Sequence, residues 1–209
     1  MPSKLRKKLY AISGPVLKPF SLMAWFFYSR LAPKIKIVIG SGDTLYWGWF
    51  PTDIKTLDIT KESDFRLYFS RKKIDFVLAE HVLEHLDIKS IEAMAMNIKK
   101  YSNPGVNIRV AVPDGFHADP AYIDHVRPGG TGPAADDHKH LFTYKTLTDL
   151  FDSFGYRHHL VEYWDEKGVF HSFYSNGTEK GHIKRCLLNH RKNIDGKPHY
   201  TSLIIDFSL

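Results

Sequence analysis

A glycine turn and an acidic residue follow the first two apolar segments of the chain. Gly40-Ser41-Gly42-Asp43 comes directly after the run 35–39, and Asp53 lies in the segment 49–54 that follows. Because glycine has no Cβ, such a turn lets backbone atoms approach a ligand closely. A carboxylate can accept hydrogen bonds from both hydroxyls of a ribose. Together the two features predict a nucleoside-binding site at the ends of two strands.

Acidic positions continue along the chain, whereas two phosphate-binding fingerprints are absent from it. Asp58 and Ile59 follow Asp53 by five residues, and Glu80-His81 ends the third apolar segment. The chain contains neither G-x-G-x-x-G nor G-x-x-x-x-G-K-[ST], the glycine patterns that bind pyrophosphate. Their absence argues against NAD and ATP and favours a nucleoside ligand without phosphates.

A second group of chemically active residues lies in the glycine-rich segment 125–140, which is predicted to form a mobile flap. Its last residues include two carboxylates and two histidines within five positions. Histidine accepts a proton readily near neutral pH, and the acid at the end of the fourth apolar segment could do the same. The candidates for a catalytic base are therefore His81, Asp114, His138 and His140.

Three interpretations of the set Asp136, Asp137, His138 and His140 are open. The first is a base or a substrate contact. The second is a polar flap in which His140 anchors the following helix. The third is a divalent metal site, because carboxylates and imidazoles are both metal ligands. They rank in that order, so no metal is predicted, and Glu84 and His85 are expected to cap and orient a helix.

Alternating strand and helix patterns must position these residues. β-Branched and apolar runs predict strands at 35–40, 49–54, 74–80 and 107–114. Apolar residues at helical spacing predict a helix within 85–105, and Thr143 is expected to cap a second helix that stops at Gly155. Further strands are predicted at 158–164, 169–174 and 200–209.

The order of these elements predicts the fold class. A strand, a helix and another strand in succession imply a parallel sheet. The last strands are expected to pair antiparallel at the edge of that sheet. The predicted class is α/β, with a doubly wound, mostly parallel, Rossmann-like sheet and antiparallel C-terminal strands.

The charge of this 209-residue chain is unevenly distributed. The net charge is +6, and the single cysteine, Cys186, excludes an internal disulfide, which predicts a reducing, cytoplasmic setting. A basic-aromatic extension, 1–33, is predicted to precede one domain, 34–209. Neither an RNA-binding module nor a basic stripe beside the site is visible in that domain, which argues against nucleic acid. Most of the basic residues in the first 36 positions belong to the extension. The eight are Lys4, Arg6, Lys7, Lys8, Lys18, Arg30, Lys34 and Lys36.

The apolar part of this extension, 19–29, is too short to span a bilayer. One interpretation places it on an anionic membrane surface, at the inner membrane face. The other packs it on its own domain or on a second subunit of a homodimer. Packing is favoured, because aromatic helices are more often buried than membrane-bound.

Several segments together resemble the class I S-adenosylmethionine-dependent methyltransferases. The segments are IVIGSGD, GWFPTDI, FVLAEHVLEHL, NIRVAVPD and HKHLFTYKTLTDLFDSFGY. They are close to a small bacterial branch of predicted methyltransferases that is often associated with surface-polysaccharide genes. The resemblance runs from about Lys34 to the C-terminus, and EHVLEHL is its most specific element.

This resemblance implies S-adenosylmethionine as cofactor and assigns a role to each matching position. The glycine turn (Gly40, Ser41, Gly42) would wrap the methionine portion, Asp53 would hold the ribose, and Asp58 and Ile59 would flank the adenine. Glu80 and His81 would lie beside the sulfonium and the substrate. Many members carry an acid two residues before the first glycine, where this chain has Val38.

Two functions follow from the resemblance as expectations. One is O-methylation of a saccharide, a lipid-linked glycan intermediate or another small-molecule acceptor. The alternative is a non-catalytic binding or assembly module in surface-glycan synthesis, recruited to the membrane through residues 1–33.

Overall fold

The computed structural model of the protein describes residues 3–42, 44–174 and 179–209, with side chains from residue 16 onward. These residues form two compact units. The first unit runs up to Leu78 and resumes at Ile88–Val106, and the second comprises Ala79–Asp87 and Asn107–Leu209. Two strands, β3 (Ile74–Glu80) and β4 (Ser102–Pro113), continue from the first unit into the second.

The first unit joins three helices to the beginning of the sheet. Its strand order is β2-β1-β3-β4, and β1 and β2 are parallel, with Ile37 opposite Phe50 and Val38 opposite Pro51. Besides the first parts of β3 and β4, its elements are α1 (Ser3–Leu31), β1 (Lys36–Ile39), β2 (Phe50–Pro51), α2 (Glu62–Phe69) and α3 (Ile88–Tyr101).

The second unit continues the sheet in the order β3-β4-β7-β5-β6. Strand β7 is antiparallel to both β4 and β5, so β4 and β5 run in the same direction. Its elements after β4 are α4 (Pro120–Val126), α5 (Tyr144–Ser153), β5 (Arg157–Trp164), β6 (Phe170–Ser172) and β7 (Ser202–Ser208), with short 3₁₀ segments at Leu83–His85, Ala135–Asp137 and Arg191–Asn193.

The complete strand order, β2-β1-β3-β4-β7-β5-β6, confirms the predicted fold class. The chain passes from β1 to β2 on one side and then to β3 on the other, so strand order reverses beside β1. The predicted antiparallel C-terminal strands are β6 and β7. In an open α/β sheet, ligands bind at the carboxyl ends of the strands where the order reverses.

Both predicted helices are present and begin or end where the sequence signals lie. In α3 the buried side chains are at helical spacing, among them Ile91, Met94 and Ile98. Helix α5 begins with a capping box, in which the Thr143 side chain accepts from the Thr146 N–H and the Thr146 side chain accepts from the Thr143 N–H. Periodicity and capping chemistry depend on residues a few positions apart, so the sequence alone predicts them.

Two helices were missed by the sequence prediction, and the glycine-rich loop contains one close backbone turn. Helices α2 and α4 were not predicted, although Pro120 after an Asp119 cap is a recognised helix start. Helix α1 contains the apolar segment 19–29 that was expected to be helical, and it extends from Ser3 to Leu31. In the loop expected to be a mobile flap, the Gly132 N–H donates to the His125 carbonyl at 2.9 Å. A Cβ on Gly132 would lie 2.3 Å from that oxygen, so the glycine permits a close backbone turn.

Helix α1 packs on the first unit through one of its faces. The indole of Trp25 is 6% exposed, and its ring centroid lies 5.1 Å from that of Phe50 and 5.0 Å from that of Phe69. The Tyr28 hydroxyl donates to the Lys36 carbonyl at 2.9 Å. The predicted packing of this segment on its own domain is therefore observed from residue 16 onward. In the part of the chain that the structure describes, no helix combines the length and the apolar composition that crossing a bilayer requires.

A buried carboxyl lies in the sheet of the second unit. Glu162 on β5 is completely buried. Its carboxyl group accepts hydrogen bonds from the Tyr174 hydroxyl at 2.5 Å and from the Leu187 N–H at 2.9 Å. Burial raises the pKa of Glu162 to about 7, because the ionised form loses its hydration.

We expect Trp25→Ala to destabilise the protein by about 3–5 kcal/mol, the usual cost of removing a buried aromatic ring. Phe27→Ala is the matched control, because Phe27 lies on the same helix and is 58% exposed. Urea unfolding should place the control within about 0.5 kcal/mol of the parent. Equal losses in the two variants would show that the Trp25 face does not stabilise the unit.

Glu162 should make the free energy of unfolding depend on pH. Its folded pKa lies above the ordinary value of 4.5, so its contribution is complete below pH 4.5 and is lost as the pH rises through about 7. We expect Glu162→Gln to gain stability relative to the parent over this window, by up to about 3 kcal/mol at 1.36 kcal/mol per pH unit. Glu92→Gln, an exposed change on α3, should show no such trend. A pH-independent difference between Glu162→Gln and the parent would contradict the assignment.

Candidate functional site

The glycine turn lies at the carboxyl end of β1. Gly40 and Gly42 both have positive φ, 62° and 52°, which a residue with a side chain adopts only with strain. A Cβ on Gly42 would meet nothing within 4 Å in the described part of the chain, so the space beside it is open. The Ser41 N–H donates to the Thr52 carbonyl at 2.9 Å, which ties the turn to the residue after β2. Asp43 lies outside the described residues.

Asp53 combines partial burial with an unused acceptor. It follows Thr52, whose N–H and hydroxyl both donate to the Val38 carbonyl at 2.8 Å. The Asp53 carbonyl accepts from Thr56 and Leu57 and begins a turn. Its Oδ1 is buried, and among the described residues it has no hydrogen-bond partner. A buried acceptor without a partner is costly, so it is a natural place for a ligand hydroxyl to donate.

Asp58 and Ile59 have other partners within the first unit. The Asp58 carboxylate accepts from the Thr60 hydroxyl at 2.7 Å and lies 3.0 Å from the Lys61 ammonium. Burial would raise the pKa of Asp58, but the hydrogen bonds from Thr60 and Lys61 outweigh it and lower the pKa. The Ile59 carbonyl accepts from the Asn97 amide at 3.0 Å. Both residues thus help to build the turn into α2, and their contact with adenine stays a prediction.

Glu80 ends β3 with its carboxylate already occupied. One oxygen accepts from the Arg185 N–H at 2.9 Å, and both lie 3.1 Å from the Lys184 N–H. Backbone donors therefore satisfy the acid that the sequence places beside the cofactor. Through these contacts Glu80 holds the segment around residue 184 against the end of β3.

His81 is held in an unusual backbone conformation between two side chains. Its φ is 54°, which is uncommon for a residue other than glycine. Nε2 lies 2.9 Å from the Ser202 hydroxyl, and Nδ1 lies 3.2 Å from Oε1 of Glu84. This is the contact order of a serine–histidine–carboxylate relay. Ser202 is completely buried, however, so its hydroxyl is closed to a substrate, and the contacts orient the imidazole.

Asp114, a predicted base, is enclosed by the second unit. Its oxygens accept from the Phe116 N–H at 2.9 Å and the Trp164 N–H at 2.8 Å, and the residue is completely buried. Burial raises the pKa of Asp114 to about 6, more than these two hydrogen bonds lower it. The contacts join the end of β4 to the end of β5.

His138 and His140 differ in what their rings contact. His138 Nδ1 lies 2.7 Å from the Val126 carbonyl. A carbonyl only accepts, so Nδ1 carries the proton and Nε2 is the basic nitrogen. The His140 ring packs beside Phe142, with centroids 5.0 Å apart. Its Nε2 is buried and finds no hydrogen-bond partner within the described ranges.

The structure also joins residues that sequence reasoning kept apart. Glu84 and His85, expected to be structural, lie with His138 in a cluster whose ligand atoms are within 4.8 Å of one another. Asp136 is exposed and is not part of this cluster. The repeated Glu-His pairs, 80–81 and 84–85, were the only local signal. The approach of His138 to the second pair depends on the fold.

Comparisons with known proteins give similarities to solved structures only. No protein-family model matches the chain, and no curated protein matches it. A SAM dependent methyltransferase from Archaeoglobus fulgidus is 15% identical, with 97% of this chain and 96% of that chain covered and a TM-score of 0.43. A SAM-dependent methyltransferase from Anabaena variabilis is 11% identical, with coverage of 89% and 70% and a TM-score of 0.44. At these values neither similarity identifies an activity, a cofactor or a substrate of this chain.

Proposed function

We propose that this chain is an S-adenosylmethionine-dependent methyltransferase that acts on oxygen of a saccharide or a lipid-linked glycan intermediate. The observation that carries the proposal is the partnerless Oδ1 of Asp53, buried at the carboxyl end of β2. A ribose hydroxyl would satisfy it with a charge-assisted hydrogen bond. The neighbouring glycine turn, open at Gly42, has room for the methionine portion of the cofactor.

The connection after the turn supports a nucleoside over a dinucleotide. In residues 40–42 and 44–49 no helix follows β1, so the described chain offers no helix N-terminus there for a pyrophosphate. S-Adenosylmethionine carries no phosphate and needs no such helix. Gly40, Ser41, Gly42 and Asp53 are therefore proposed as the main cofactor contacts.

The second unit offers histidines for the proton that an acceptor hydroxyl loses. Both nitrogens of His81 have neighbours, whereas His138 keeps a basic Nε2 and His140 has a partnerless one within the described residues. Histidine is suited to this role near neutral pH. Saccharide as the acceptor is supported by the resemblance of the motifs alone. The alternative, a non-catalytic module, predicts cofactor binding without turnover.

A membrane role for α1 has its own support in the structure. The face of the helix opposite Trp25 carries apolar side chains at a spacing of three and four residues. Leu5, Leu9 and Ile12 continue this spacing in the sequence. The exposed members are Val16 (61%), Phe20 (63%), Met23 (57%), Phe27 (58%) and Leu31 (83%).

The charges around α1 suit an anionic surface better than a second copy of the chain. The first 42 residues contain no Asp or Glu beside their eight basic residues. Two such helices facing each other would bring like charges together, whereas anionic lipid headgroups neutralise them. A cleft of about 580 Å³ beside α1 is lined by Arg30, Arg66, Arg71 and Lys72, among other residues. We propose that α1 lies on the anionic inner face of a membrane, with its apolar side chains in the interface.

Cofactor binding tests the proposed activity. We expect Asp53→Ala to weaken S-adenosylhomocysteine binding by about tenfold or more, because a hydrogen bond to a charged group is worth about 1.5–3 kcal/mol. Glu62→Gln, at an exposed carboxylate on α2 of the same unit, should bind like the parent in calorimetry. No saturable binding by the parent would exclude the proposal. Binding with no S-adenosylhomocysteine formed from S-adenosylmethionine and saccharide acceptors would favour the non-catalytic module.

Vesicle sedimentation tests the role of α1. We expect the parent to bind vesicles of phosphatidylcholine and phosphatidylserine, and binding to weaken with added salt. Phe20→Ser with Phe27→Ser should reduce binding at least about tenfold, because each buried phenyl ring contributes about 1.5–3 kcal/mol. Ile194→Ser, at a residue 94% exposed in the other unit, is the control. If the parent is a dimer that does not bind vesicles, and the double variant is a monomer, the exposed face of α1 is instead a subunit interface.

A further inference from the structure

Glu84 is a buried carboxylate with incomplete hydrogen bonding. The residue is 0% exposed, and neither oxygen has a hydrogen-bond partner among the residues that the structure describes. Nδ1 of His81 lies 3.2 Å from Oε1, which makes an ion pair when that imidazole is protonated but satisfies neither oxygen with a hydrogen bond. Burying an ionised carboxylate in this way is expensive unless a cation compensates it. A bound positive ion would therefore compensate the negative charge of the Glu84 carboxylate.

Two imidazoles approach the same carboxylate. His85 follows Glu84 in the 3₁₀ segment, and the Glu84 carbonyl accepts from the Lys139 N–H at 2.7 Å, which holds the residue after His138 close by. The two histidine rings have centroids 4.7 Å apart at an angle of 73°. One ligand atom from each of Glu84, His85 and His138 lies within 4.8 Å of the other two.

The hydrogen bonds of the two imidazoles leave one nitrogen of each ring able to bind a metal ion. His138 donates its Nδ1 proton to the Val126 carbonyl at 2.7 Å, which presents a lone pair on Nε2. Metal-binding histidines usually make such a hydrogen bond with their other nitrogen. Nδ1 of His85 is buried without a hydrogen-bond partner in the described chain, and it lies 3.6 Å from Oδ2 of the exposed Asp137.

We propose that Glu84, His85 and His138 bind a first-row divalent transition metal, with Zn²⁺ the best match. Two imidazole nitrogens and one carboxylate oxygen suit zinc, and they are poor ligands for Mg²⁺ or Ca²⁺, which take oxygen. Zinc holds its ligands at about 2.0–2.2 Å, so the three donors must draw together on binding. Asp137 is close enough to His85 to support it from outside the ligand set.

Metal binding changes the part that His138 can play. When Nδ1 donates to the Val126 carbonyl and Nε2 binds the metal, neither nitrogen of His138 can take the proton from the hydroxyl that is methylated. Three protein ligands leave one coordination position open for water or a hydroxyl, and a bound Zn²⁺ lowers the pKa of that group. The inference concerns metal binding itself and does not depend on the proposed methyl transfer.

The experiment is a titration of the chelator-treated, full-length protein with Zn²⁺ by calorimetry and with Co²⁺ by visible absorption. We expect one tight equivalent per chain and an increase in melting temperature with Zn²⁺. His85→Ala and His138→Ala should each weaken this binding by at least about tenfold, since even outer partners of metal ligands contribute 10–100-fold. Both altered side chains are partly exposed, so these variants are expected to fold, which circular dichroism checks.

The chain has 12 histidines, so surface binding must be distinguished from the cluster. His158→Ala and His199→Ala are matched controls, because each histidine is exposed and lies 2.9 Å from an aspartate outside the cluster. Both controls should keep the parent affinity. No saturable binding, or equal affinity in the cluster and control variants, would overturn the proposal. Unchanged S-adenosylhomocysteine binding in His138→Ala would show that the metal site and the cofactor site are independent of each other.

Discussion

The three hydrogen bonds of Thr52 hold the end of the sheet on which the candidate cofactor site depends. Its N–H and hydroxyl both donate to the Val38 carbonyl, and its carbonyl accepts from the Ser41 N–H. Strand β2 has only two residues, and one of them, Pro51, has no N–H to donate. Without the hydrogen bonds of Thr52, few contacts would fix the register in which β2 pairs with β1. The glycine turn and Asp53 keep their relative positions because this residue connects them.

Buried charges set the second constraint, and the second unit meets it in more than one way. In the second unit the Arg109 guanidinium makes a bidentate pair with Asp206, at 2.7 and 2.9 Å, so both charges are compensated. Glu162 and Asp114 accept hydrogen bonds and have raised pKa values instead. Glu84 has neither a bidentate ion pair nor a hydrogen bond to its carboxylate among the described residues, and for this reason it is a candidate site.

Helix α1 is packed on one face and exposed on the other. Trp25 and Tyr28 join it to β1, β2 and α2, so its position is fixed by aromatic packing and by a hydrogen bond to the Lys36 carbonyl. The opposite face leaves Phe20 and Phe27 exposed. Apolar residues all around a helix predict burial on every side. Helix α1 differs from such a helix, because from residue 16 onward only its Trp25 face is buried.

The sequence alone determined the elements whose signals are local. The helical spacing of Ile91, Met94 and Ile98 and the Thr143 cap were sufficient for α3 and α5, and alternating segments were sufficient for the sheet class. The glycine turn and Asp53 were also recognisable as a candidate site, because strand ends in such a sheet are where ligands bind. The contacts of α1 were only one of two open interpretations.

Only the tertiary structure decided which distant groups meet. Glu80 accepts from backbone N–H groups near residue 184, and backbone donors leave no mark on residue type in a sequence. Strand pairing brings Ser202 to His81 across 121 positions, and the turn before α5 brings His138 to Glu84 and His85. A sequence encodes periodicity and caps within a few residues, whereas such clusters arise from pairings between segments far apart along the chain. The candidate metal ligands were therefore visible as residue types, and their assembly was visible only in the folded protein.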